Sequence, residues 1–166
     1  MNDRNIQDRQ DIWEPFRYFL GEWKGKGDGK NGFSQSERRF DLILNDNFIQ
    51  VSNRSVYEPQ KRNPSGEVHE DIGFLSYDQG REQYVMREFH NEGYVNQYVL
   101  ETWDPEEGLM IMSTEAIENI PPGWHARTTY KIFSDYEFQE TFDLAGPDAD
   151  WTCYITSEFH REKGKG

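Results

Sequence analysis

The residues of this 166-residue chain best suited to chemistry are four histidines, two mid-segment arginines and a scatter of carboxylates. His69, Glu70 and Asp71 form the densest group. On an extended strand, residues two apart share a face, so Asp71 can orient the His69 imidazole while Glu70 points the other way. Such a pair serves general acid–base catalysis or the hydrogen bonding of a ligand. His69 and Asp71 are therefore candidate ligand-binding residues. A small enzyme using His69 with Asp71 or Glu88 is one alternative function.

Neither a nucleophile elbow nor a glycine-rich phosphate loop opening a helix is visible, and no catalytic residue is assigned. His69, His90, His125 and His160 show no H-x-H, H-E-x-x-H or cysteine-pair spacing. A metal held directly by side chains is accordingly not expected.

Arg87 and Arg127 sit mid-strand among apolar and aromatic neighbours. An arginine turned into an apolar interior must be paired or hydrogen-bonded. In a cavity it can grip a ligand carboxylate by two parallel bonds, with Tyr98 or Tyr130 adding a hydroxyl. Met86 would join the aromatic residues along the cavity wall. The Arg38-Arg39-Phe40 run, by contrast, reads as surface charge.

The elements that must position these groups are strands. Asp11 to Leu20 carries Ile12, Phe16, Phe19 and Leu20 at helical spacing, with Pro15 tolerable only in the first turn. From Glu22 onward, ten segments are predicted as strands: 22–28, 34–44, 47–58, 69–77, 82–91, 94–103, 108–117, 124–133, 136–144 and 151–162. Asn45-Asp46, Asn91-Glu92-Gly93, Asp104 to Gly108 and Gly146-Pro147-Asp148 supply the turn chemistry between several of them. Polar residues on both faces of several strands favour a barrel enclosing a partly hydrated cavity over a dry sandwich. The expected organisation is a flexible arm at 1–10 followed by one domain at 11–166.

Composition narrows the partners. The net charge is −13, which argues against nucleic acid and anionic membrane surfaces, because both reward clustered Lys and Arg. Hydrophobic residues make up only 34% of the chain, yet aromatics reach 15%, and an aromatic-rich chain of this length suits a folded domain rather than disorder. Cys153 stands alone and the polar N-terminus is unlike a signal peptide. A cytoplasmic protein without membrane insertion is expected, and a homodimer is left open.

The stretch F-L-G-E-W-K-G-K-G at Phe19–Gly27 and V-H-E-D-I-G-F-L-S-Y at Val68–Tyr77 resemble the calycin superfamily of lipocalin-like and fatty-acid-binding-like barrels. Gly21, Trp23 and Gly25 match an early Gly-x-Trp-x-Gly step, and His69, Asp71, Gly73 and Phe74 match a second motif. Both are similar to the nitrobindin-like, haem-binding branch and its bacterial neighbours. Glu92–Tyr98 and Ala126–Ile132 resemble strands of the neighbouring families. The resemblance implies an all-β, single antiparallel barrel of about ten strands with a short N-terminal helix. It also implies haem as an alternative cofactor, with His160 as the histidine of the last strand, since Trp151 and Thr152 stand where that branch carries its ligand. The reading taken forward is non-enzymatic binding of a small apolar or amphipathic molecule with an acidic or polar head. Its site is His69, Asp71, Met86, Arg87, Tyr98, Arg127 and Tyr130, and no cofactor is required.

Overall fold

A computed structural model describes residues 12–162. The arm expected at 1–10 lies outside the described residues. The chain opens with a 3-10 helix, Glu14–Phe19, and continues through ten strands: β1 (Gly21–Gly29), β2 (Gly32–Ile43), β3 (Phe48–Tyr57), β4 (Glu67–Asp78), β5 (Gln83–His90), β6 (Val95–Asp104), β7 (Leu109–Glu118), β8 (His125–Ser134), β9 (Glu137–Ala145) and β10 (Thr152–Arg161). Each strand pairs antiparallel with the next, and β1 pairs with β10, so the sheet closes on itself. Closure leaves no strand edge unpaired. The fold is the all-β barrel that turn spacing and alternation predict.

Pro15 sits in the first helical turn, where its missing N–H costs nothing. The helix caps one end of the barrel. Phe16 and Phe19 are buried there with Trp13, Trp23, Phe138 and Phe159. Trp13 Nε1 donates to the Asp46 carbonyl at 2.8 Å, tying the helix to the β2–β3 turn. Trp23 Nε1 donates to the Phe19 carbonyl at 2.7 Å, so the indole that plugs this end leaves no donor unpaired. Arg161 lies over the Trp23 ring at 4.3 Å and donates to the carbonyls of Leu20 and Tyr18. Arg161 takes this place because its pairing with Trp23 across β1 and β10 sets the two side by side.

Glycine in β1 has a packing cause. A Cβ on Gly25 would lie 2.5 Å from the Phe159 ring, and one on Gly27 would lie 2.5 Å from Ser34 Oγ. The aromatic core therefore presses onto bare backbone along this strand.

Candidate functional site

Above the aromatic plug the barrel holds a cavity of about 630 Å³, within the usual range of small-molecule sites. Its lining follows strand alternation. On β2, Ser34, Ser36, Arg38 and Phe40 share the inward face, while Phe33, Gln35, Glu37 and Arg39 face out. On β4 and β5 the cavity-facing residues are His69, Asp71, Glu88 and His90; on β8 and β9 they include Thr128, Tyr130, Glu140, Phe142 and Leu144.

The floor is a connected polar belt. Arg38 donates to Glu140 through Nη1 at 2.5 Å and Nη2 at 3.0 Å, and through Nε to Asn53 Oδ1 at 3.0 Å. Burial opposes the guanidinium charge, but the contacts with Glu140 outweigh it and raise its pKa further. Asn53 Nδ2 donates in turn to Ser55 Oγ and Asp71 Oδ2, both at 3.1 Å. Tyr98 lies beneath this belt, fully buried, and its hydroxyl accepts from Asn96 Nδ2 at 3.1 Å.

One wall is built of histidines and carboxylates. His69 Nε2 lies 3.2 Å from Asp71 Oδ2 and its Nδ1 lies 2.6 Å from Glu92 Oε1. Burial pushes the His69 pKa down, and the hydrogen bonds to those two carboxylates more than reverse this, leaving it at about 9. His90 Nε2 lies 3.0 Å from Glu88 Oε1, and its ring stacks on Tyr94 with centroids 4.0 Å apart. Burial, reinforced by the neighbouring Asp71 charge, raises the Glu88 carboxyl above the usual carboxylate range, while His90 opposes the rise. Five carboxylates line the cavity (Glu67, Asp71, Glu88, Glu92 and Glu140) against the Arg38 guanidinium and the His69 imidazole. The facing wall is apolar: Ile117, Ile120, Pro121, Trp124, Phe142, Leu144 and Ile155. Chemically, the arrangement can hydrogen-bond a polar group, exchange protons through either imidazole, or attract a cation.

The structure brings together some expected site residues and separates others. His69, Asp71 and Tyr130 line the cavity. Tyr98 and Met86 are buried in the core instead. Glu88 meets His90 rather than His69. Arg87 is exposed on the outer face of β5. Arg127 is also on the outer face of its strand, where it pairs with Asp143 at 3.1 Å and lies over the Trp151 ring at 4.4 Å. Neither arginine reaches the cavity. The inward cation is Arg38, read from the sequence as surface charge; sharing Phe40's parity on β2 was the signal that could have found it.

His160 is exposed on the outside of β10. Thr152 and Trp151 are exposed as well. The one histidine of the last strand therefore points away from the barrel interior. A bulge between Cys153 and Ile155 takes these two residues off a common face. Cys153 is exposed and Ile155 lines the cavity.

This barrel has counterparts among solved structures. It is similar to the crystal structure of Rv2717c from M. tuberculosis, with a TM-score of 0.68 and 16% identity over 93% of this chain and 98% of that one. It is also similar to the S-type phycobiliprotein lyase CPES from Guillardia theta, with a TM-score of 0.54 and 10% identity over 99% and 100% of the two chains. A de novo designed fluorescence-activating barrel aligns at a TM-score of 0.46 and 12% identity, over 88% and 95%. At such identities the likeness to the first two shows a shared antiparallel barrel and says nothing of the ligand. Neither protein-family models nor curated proteins give a match.

Proposed function

We propose that the barrel binds a small amphipathic molecule whose polar head is rich in hydrogen-bond donors or positively charged. The observation that carries this is the division of one cavity into a carboxylate-and-histidine wall and an apolar wall. An apolar body would lie against Trp124, Phe142, Leu144 and Ile155, and the head would face Asp71, Glu88 and Asn96. Asn96 Oδ1 is buried without a hydrogen-bond partner among the described residues, and a ligand donor would satisfy it. The acidic head anticipated from Arg87 and Arg127 loses its support once both face outward. Arg38 is already committed to Glu140, and a sixth carboxylate beside the five of the cavity would meet like charge.

Two fluorescent probes of equal chain length, one an alkylammonium and one an alkylcarboxylate, test this in buffer containing EDTA. The ammonium probe should bind at least about tenfold more tightly, a difference of roughly 1.4 kcal/mol, and its affinity should fall with added salt. Equal affinity, a preference for the carboxylate, or no binding of either would overturn the reading.

A further inference from the structure

We propose that His69, His90 and Glu92 form a binding site for a first-row divalent cation such as Zn²⁺ at the cavity wall. One donor atom from each of the three lies within 4.8 Å of the others. His69 Nε2 and His90 Nδ1 approach to 3.3 Å. That separation is the edge of a tetrahedron whose metal–nitrogen bonds are about 2.0–2.1 Å long. Two imidazole nitrogens meet so closely only if they share a proton or a cation. Zinc bound between them replaces that proton, and the Glu92 carboxylate, which lies 2.6 Å from His69 Nδ1 across the ring, swings round to complete the ligand set.

The surroundings are arranged to hold the imidazoles for this role. With His90 Nδ1 on the metal, its Nε2–H donates to Glu88 at 3.0 Å, the carboxylate–histidine–metal arrangement that fixes a tautomer and strengthens the ligand. The His90 ring cannot swing away, because it stacks on Tyr94. The β5–β6 turn that carries Glu92 is pinned by Asn91 N donating to the Glu70 carbonyl at 2.9 Å and Gly93 N donating to the His90 carbonyl at 2.8 Å. Asp71, 3.2 Å from His69 Nε2, adds a further negative charge. A second cluster, Glu137, Glu158 and His160, also falls within ligand spacing. It lies outside the cavity, however, and two of its three members are exposed. The cavity site stands on its own geometry and does not depend on whether the apolar wall takes a ligand.

The test uses the full chain stripped with EDTA and then dialysed free of it. Zn²⁺ is titrated against a chromophoric chelator, and Co²⁺ is added separately to read coordination by absorption. One equivalent of zinc should bind, and cobalt should give the intense visible bands of a tetrahedral site. His69→Ala and His90→Ala should each weaken zinc by about a hundredfold or more, and Glu88→Gln by roughly ten- to a hundredfold, as expected of a residue acting through a ligand. His160→Ala should change nothing. Circular dichroism of each variant checks that the barrel persists. Failure of the wild type to compete for zinc in large excess, or weak octahedral cobalt bands, would overturn the site without reference to any variant. Zinc binding that survives in both histidine variants, or is lost in His160→Ala, would overturn it too. The probe experiment contains EDTA, so either proposal can fail while the other holds.

Discussion

Arg38 and Glu140, 102 residues apart in the chain, meet inside the barrel through two hydrogen bonds of 2.5 and 3.0 Å. Their side chains retain only 10% and 13% of their exposure, so each charge depends mainly on the other. Removing one partner leaves the other buried and uncompensated. Arg38→Met or Glu140→Leu should each lower stability by about 3–5 kcal/mol in urea unfolding, whereas the Arg38→Met/Glu140→Leu double variant should recover much of that loss. Additive losses in the double variant would show that the pair is not the unit argued here.

Gly25 faces the Phe159 ring with no room for a Cβ. Gly25→Ala should cost about 1–3 kcal/mol through overpacking, and the cost should shrink when Phe159 is replaced by Leu. The measurement is a double-mutant cycle on thermal unfolding. Equal losses in the two backgrounds would mean that Phe159 is not what excludes a side chain.

Filling the apolar wall should block the cavity without harming the fold. Leu144→Trp should weaken the ammonium probe by about tenfold or more, while Arg87→Ala and Arg127→Ala leave it unchanged, because those two cations face outward. Loss of binding in either arginine variant, with Leu144→Trp silent, would place the ligand elsewhere.

Alkaline pH should report the tyrosines. Seven of the nine have raised pKa values, namely Tyr18, Tyr57, Tyr84, Tyr94, Tyr98, Tyr130 and Tyr154, and burial is the leading cause in each. Tyr18 reaches about 12 even though Arg161 pulls it down. A raised folded-state value means that the protonated phenol is favoured in the native barrel. Its contribution to stability is complete below the unfolded pKa of about 10 and is lost as pH rises through the folded values. Tyrosinate absorbance for these seven should therefore stay low past pH 10 and then rise in one cooperative step, together with loss of the far-ultraviolet dichroism of the sheet. Independent titration of all nine near 10 with the sheet intact would contradict the burial described.

The local chemistry of the chain was enough to establish strand number and, to within two residues, strand limits. Turn residues such as Asn45-Asp46 and Asn91-Glu92-Gly93 break the chain where the strands do break, and Pro15 falls in the first turn of the opening helix. These are short-range effects, dictated by backbone preference and alternation. His69 and Asp71 were legible as a pair for the same reason, since two residues apart on one strand must share a face.

Which face looks inward, and what gathers there, was decided only by closure of the sheet. Arg38, Arg87 and Arg127 each sit mid-strand, yet of the three Arg38 alone turns in. A strand's parity depends on register carried around all ten strands, and bulges at Gln97/Tyr98, Leu100/Thr102, Ile132/Ser134 and Cys153/Ile155 shift that register without a strong local signature. The His69–His90–Glu92 group was invisible as a spacing motif because its members come from two strands and a turn. Antiparallel pairing of β4 with β5, which sets Asp71 opposite His90, is what brings their donor atoms within 4.8 Å of one another.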